Sequence, residues 1–261
     1  MNRCIVFLTY IPRSGSTLLA RMLSEIKGVE VTLEADFPDG VVRPELVVDR
    51  PGDAQKAVKQ LLADDKFTAW PKISADDLEA RFRNLDTPCG FADWLPVVLE
   101  TAFDSQPEVI VFKRDDYIMH VEERRQLFPE AHFLHVLRDP RAVYASQRRS
   151  RDSQTGHFMV RSPYTVARYF NKVARSIMTH QEQPYFEVVK YEDLVQSPAD
   201  ELDRIQRFLG IHGKENEQEK GYTENIPDEQ KHLHPKVAAE PDDTRAAAWK
   251  NELSKEDCYL I

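Results

Sequence analysis

The chain has 261 residues, and acidic side chains outnumber basic ones 44 to 35. That balance argues against a generally basic, nucleic-acid-binding surface. No apolar run reaches the roughly 18 to 20 residues of a membrane span, and the length suits a single α/β domain with one sizeable core. Cys4, Cys89 and Cys258 are too far apart for a metal-type spacing and read as reduced thiols of a cytoplasmic protein.

The first element, Cys4 to Tyr10, is a continuous hydrophobic run of strand length, too short and too β-like for a signal peptide. It runs into Pro12-Arg13-Ser14-Gly15-Ser16-Thr17, which opens a helix reaching to about Lys27. The first amides of a helix have no partner inside it, and the helix dipole adds positive charge there, so the turn suits a phosphate or sulfate. Gly15 allows close backbone approach. Arg13 contributes a planar charged fork, and Ser14, Ser16 and Thr17 contribute hydroxyls. The common nucleoside-triphosphate loop, G-x-x-x-x-G-K-[ST], is different, because no Lys follows Gly15 here. Taken alone, the pattern also fits an ordinary strand-to-helix connection.

Val29 to Glu34 alternates as a second strand, ending in the acidic turn Glu34-Ala35-Asp36. Helical spacing follows over Asp53–Leu62, Ser74–Leu85 and Phe91–Phe103, with Ser74 and Asp77 suited to a capping box. These helices and their loops make an insert over about 38–107. Strand and helix then alternate: a strand over Glu108–Lys113, a helix over Tyr117–Phe128 and a strand over His132–Leu137. Asp139 at the N-cap and Pro140 at the first helical position start the next helix. A helix over Tyr164–Gln181, a strand over Phe186–Tyr191 and a helix over Ala199–Leu209 closed by Gly210 complete the pattern. Residues 212–248 are polar and aperiodic, a long surface loop suited to ordering over a ligand. Alternation of this kind predicts a mostly parallel sheet flanked by helices, in one domain spanning 1–261.

In such a sheet, ligands bind beyond the carboxyl ends of the strands. Arg13–Thr17, Glu34–Asp36, Lys113–Asp116 and Arg138–Arg141 all fall at those ends. Ser146 lies about two turns beyond Arg138, so a fork and a hydroxyl suit a second phosphate. Arg148, Arg149 and Arg151 read as a solvated basic face.

Two anion sites on neighbouring strand ends resemble the sulfotransferases that use 3′-phosphoadenosine 5′-phosphosulfate (PAPS). The family's 5′-phosphosulfate loop is similar to Pro12-Arg13-Ser14-Gly15-Ser16-Thr17. Its 3′-phosphate motif is similar to Leu137-Arg138-Asp139-Pro140-Arg141 with Ser146. The resemblance continues through Tyr191-Glu192-Asp193-Leu194 and Ile205–Ile211, and resumes at Trp249-Lys250. Motif spacing is nearest to the tyrosylprotein sulfotransferases, which carry an acidic base where this chain has Glu34 and a lysine where it has Lys113. The small-molecule branch would place a histidine near Asp115.

The resemblance implies a P-loop-like fold, PAPS as donor with adenosine 3′,5′-bisphosphate (PAP) as product, and a hydroxyl acceptor such as a tyrosine-containing peptide, a glycan or a small alcohol. The histidines make no recognised metal signature, so no metal is expected, and the charge balance and hydropathy give no expectation of nucleic acid or a membrane span. Glu34 is the expected general base, a role worth ~10²–10⁴-fold, with Asp115 and Asp116 as alternatives. Lys113 is expected at the bridging oxygen and Arg13 on the sulfonate or 5′-phosphate oxygens. Tyr191 is expected near the adenine, and Thr244 and Arg245 over the phosphates. A P-loop kinase would need the loop lysine that is missing here and a set of Mg²⁺ ligands, whereas a non-catalytic nucleotide-binding module would keep the anion sites with Glu34 and Lys113 dispensable.

Overall fold

Five parallel strands carry the fold in the order β2-β3-β1-β4-β5: Cys4–Tyr10 (β1), Val29–Val31 (β2), Val109–Lys113 (β3), His132–Leu137 (β4) and Phe186–Lys190 (β5). The computed structural model describes residues 3–32, 48–63, 73–103, 107–151, 156–160, 162–211 and 244–261. Its helices are Ser16–Ser24 (α1), Ala54–Leu61 (α2), Ala75–Arg83 (α3), Phe91–Ala102 (α4), Val121–Leu127 (α5), Pro140–Gln147 (α6), Pro163–His180 (α7), Tyr191–Gln196 (α8), Pro198–Phe208 (α9), Thr244–Ala247 (α10), Trp249–Glu252 (α11) and Lys255–Leu260 (α12). None of them is long and apolar enough to cross a membrane.

Both faces of the sheet are covered, which is why its strands read as hydrophobic runs and not as alternating ones. Val6, Leu8, Val111, Leu134, Val136 and Val189 pack with Leu19 and Leu23 of α1 and Ile205 of α9 in one buried cluster. The opposite face is aromatic. Phe7 stacks between Phe112 and Phe133 at centroid distances of 5.9 and 5.1 Å, and the edge of Tyr117 closes over it at 4.9 Å.

Chain connectivity sends α1 from β1 toward the β2 side, whereas α6 leaves β4 toward the β5 side. The crevice of an open parallel sheet lies where neighbouring strands diverge in this way, here between the ends of β1 and β4. The described residues divide into two compact units, Met1–Val31 with Val109–Ile261, and Thr32–Glu108. The first holds the whole sheet. The second holds α2, α3 and α4, with Trp94 fully buried and 6.2 Å from Phe82, so that aromatic is core.

Several elements differ from expectation. The second strand is shorter, ending at Val31 in place of Glu34, and Glu34 itself lies outside the described residues. The helix expected over Tyr117–Phe128 is a 3-10 turn, Asp116–Met119, followed by α5, because His120 leaves helical geometry at φ −128°. The Asp116 carboxylate accepts from Arg114 Nε at 2.7 Å. A 3-10 turn, Pro51–Asp53, precedes α2. Of the loop expected over 212–248, residues 212–243 lie outside the described residues, and Thr244–Ala247 is helical.

Candidate active site

The turn after β1 is built from backbone. Arg13 takes φ 77°, a left-handed conformation rare for a side-chain-bearing residue, and Gly15 takes φ 103° at the N-cap of α1. The Ser14 amide donates to the Ile11 carbonyl at 2.9 Å, and the Gln147 side chain donates to the Pro12 carbonyl at 2.8 Å. No side chain caps α1, so its leading amides are presented to whatever enters the turn. Ser14 is 1% exposed and its Oγ has no hydrogen-bond partner among the described residues. A buried hydroxyl of this kind is costly unless something fills it.

Gly15 has a second duty that the sequence does not announce. A Cβ at this position would stand 2.3 Å from Cδ2 of Tyr191. Tyr191, expected at the end of the last strand, is instead the first residue of α8, and its buried ring fills the space under the turn. The Arg138 guanidinium stacks on that ring with Cζ 4.1 Å from the centroid. Tyr191 thus supports both anion-binding segments from below.

The second corner, between β4 and α6, follows helix-start chemistry. Asp139 Oδ1 accepts from the Arg141 amide at 2.8 Å, Pro140 takes the first helical position, and the Asp139 amide donates to Glu192 Oε1 at 3.2 Å. Arg138 Nη1 donates to the Arg13 carbonyl at 3.1 Å, and Nη2 to the Arg245 carbonyl at 2.8 Å. Its Nε is buried without a partner among the described residues. The two corners are therefore one site, linked through Arg138.

Ser146, whose spacing from Arg138 suits a shared phosphate, accepts from Arg13 Nε at 3.3 Å. Burial pulls the Arg13 pKa down, and the charges of Arg138, Arg245 and Arg149 lower it further. Arg138 is lowered by burial too, with Tyr191, Glu192 and Asp139 opposing and Arg245 adding to the shift. Guanidinium groups stay protonated under such pressure, so the cluster is a concentration of positive charge suited to a multiply charged anion. Arg149, which the sequence placed on a solvated face, thus lies within electrostatic reach of Arg13; its position one helical turn beyond Ala145 carries no signal of this.

Lys113 ends β3, whose register sets it opposite Leu8, and it is 6% exposed. Its Nζ donates to the Tyr10 hydroxyl at 3.4 Å and lies 4.8 Å from the Tyr10 ring centroid. Beneath the two corners, Thr9 Oγ1 and His135 Nδ1 are 2.7 Å apart between β1 and β4, and burial drives the His135 pKa down to about 3. This histidine is neutral in the folded protein over the ordinary pH range. Thr244 opens the helical turn that carries Arg245. Arg13, Ser14, Gly15, Arg138, Ser146, Tyr191 and Arg245 are therefore brought together, while Ser16 and Thr17 begin α1 and are buried.

A family model described as sulfotransferase family matches residues 6–215. Among solved structures, the chain is similar to the sulfotransferase domain from the curacin biosynthetic pathway, at 20% identity and TM-score 0.58, covering 100% of this chain and 96% of that one. It is also similar to the sulfotransferase domain of the Synechococcus PCC 7002 olefin synthase, at 20% identity and TM-score 0.62, covering 99% and 93%. No protein of curated function matches the sequence significantly.

Proposed function

Because the chain belongs to the sulfotransferase family, we propose that it moves the sulfuryl group of PAPS to an acceptor hydroxyl, with a protein tyrosine as the acceptor class. The observation that carries this reading is the joined pair of corners. Arg13 and Arg138 are tied to each other, and Ser14 Oγ and Arg138 Nε, both buried, have no partner among the described residues. Those two orphaned donors and the uncapped start of α1 fit the oxygens of a nucleotide with phosphate-like groups at both ends.

The donor supplies an activated sulfuryl group on a phosphosulfate anhydride. Arg13, Ser14 and the amides at the start of α1 hold the 5′ end, Ser16 and Thr17 add hydroxyls, and Arg138 with Arg245 and Thr244 holds the 3′ end. Ser146 orients the Arg13 fork. Lys113 offsets negative charge growing on the leaving oxygen, a task for which a buried ammonium is well suited, since low dielectric strengthens its field. Glu34 takes the proton of the acceptor hydroxyl. Its assignment is supported by the motif spacing that sets it after the second strand, and Asp115 is the competing base.

Glu34→Gln tests the assignment. It is expected to leave PAP affinity within about twofold of wild type while turnover falls ~10²–10⁴-fold. Labelled PAPS offered to tyrosine peptides, glycans and small alcohols reads the acceptor class in the same assay. Full turnover by the Gln variant removes Glu34 as base, and transfer confined to glycans or alcohols removes the tyrosine acceptor.

A further inference from the structure

The three short helices α10, α11 and α12 lie along the arginine-bearing corner, and each arginine between Arg138 and Arg149 meets them. Arg138 Nη2 donates to the Arg245 carbonyl at 2.8 Å. The Arg141 guanidinium lies 3.8 Å from the Trp249 ring centroid. Arg149 Nη1 pairs with Glu252 Oε1 at 2.5 Å, and Arg148 Nη1 with Asp257 Oδ2 at 3.5 Å. We propose that residues 244–261 are a positioning strap: Trp249, Glu252 and Asp257 hold the Arg245 carbonyl where it orients Arg138, and so set the preference for a 3′-phosphorylated nucleotide.

The physical reason lies in what holds the Arg138 fork. A long side chain loses much rotamer freedom when it binds an anion, and a fork already fixed loses less. Arg138 is fixed by three things: the Arg13 carbonyl, the Tyr191 ring face and the Arg245 carbonyl. The first two belong to the sheet-end framework. The third is carried by the four-residue turn α10, none of whose side chains is buried; in this proposal the contacts of α11 and α12 with the corner steady it. Ser254 caps α12, accepting from the Asp257 amide at 3.0 Å, which presents the Asp257 carboxylate to Arg148. Single exposed ion pairs stabilise weakly; here two of them and a cation-aromatic stack act on one short segment. Trp249 and Asp257 are positioning residues and touch no donor atom in this scheme.

The strap rests on the donor reading above, and the test separates the two. Calorimetry on the full chain compares PAP with adenosine 5′-phosphate for wild type, Trp249→Ala and Asp257→Lys. Glu252 is left alone because its partner Arg149, unlike Arg148, lies within electrostatic reach of Arg13 and would draw anions to the site if unpaired. Both variants are expected to weaken PAP by about tenfold and adenosine 5′-phosphate by less than about twofold. Exchanging the charges in Arg148→Asp with Asp257→Arg is expected to restore the PAP preference. Equal losses for the two nucleotides, or an unchanged PAP affinity, overturn the strap and leave the donor reading standing. Wild-type protein that binds neither nucleotide ends the donor reading and the strap with it. Should Trp249→Ala fail to fold, Asp257→Lys and the charge exchange decide the matter.

Discussion

The two strand-to-helix corners of this protein occupy equivalent places, at the ends of adjacent parallel strands, yet they reach anion binding by opposite means. After β1 the backbone itself is the instrument. Arg13 and Gly15 both adopt left-handed conformations, α1 starts without a side-chain cap, and the Ser14 hydroxyl is buried without a partner among the described residues. After β4 the backbone is at rest: Asp139 caps α6, Pro140 starts it, and the anion-binding capacity sits in arginine side chains laid on top. Strained, unsatisfied backbone is stabilised only when a ligand arrives, and it tolerates little change. A satisfied helix start carrying a charged side chain is modular, so its parts can be removed one at a time.

The widest gap between the corners is expected at Gly15. Gly15→Ala must keep φ 103° and insert a Cβ 2.3 Å from the Tyr191 ring, so the turn and the ring have to part. We expect stability to fall by about 2–3 kcal/mol, the cost of a strained conformation plus overpacking, with PAP binding lost from calorimetry. Unfolding in urea separates the two effects; a variant that binds PAP normally would mean that the backbone of this turn does not hold the ligand. Arg138→Ala should be the milder change. It leaves Asp139, Pro140 and α6 intact, and is expected to weaken PAP about 100-fold while adenosine 5′-phosphate changes by less than about threefold. Equal losses would show that Arg138 supports the first corner, through its bond to the Arg13 carbonyl, more than it binds a phosphate of its own.

The same contrast governs what could be read from the sequence. The parallel sheet was legible because its strands are short hydrophobic runs between turn signals; His132–Leu137 is bounded as expected, since Asp139-Pro140 stops it in a way that only local chemistry decides. Ser74 caps α3 as anticipated, accepting from the Asp77 amide at 3.3 Å. The Asp77 carboxylate turns the other way, to Arg81, so the cap is only half of a box. What stayed hidden depends on contacts across long stretches of chain. Tyr191 lies beneath Gly15, Ser146 bonds Arg13, and Arg148 and Arg149 meet carboxylates about a hundred residues away. A residue's spacing in one helix says which face it shares, and nothing about which distant segment comes to that face.

The smallest effect is expected at Asp139, and it probes whether the second corner is as modular as its geometry implies. The carboxylate accepts the Arg141 amide at 2.8 Å and grips the Arg141 side chain through Nε at 2.9 Å and Nη2 at 2.6 Å. Burial works to raise its pKa, but the hydrogen bonds and charge of Arg141 outweigh that and hold the pKa below the ordinary 3.8. Asp139→Ala removes a helix cap, worth about 1 kcal/mol, and is expected to leave adenosine 5′-phosphate affinity within about twofold. The pH dependence has a definite sign. A carboxyl whose folded pKa is depressed stabilises the fold fully above its unfolded pKa, and loses that contribution as pH falls through the folded value. The difference in unfolding free energy between wild type and Asp139→Ala should therefore be constant from pH 7 down to about pH 5 and shrink below pH 4. A gap that persists unchanged into that acidic range would mean that the cap acts through shape alone, and that Arg141 is held in place by Trp249 without help from the charge at Asp139.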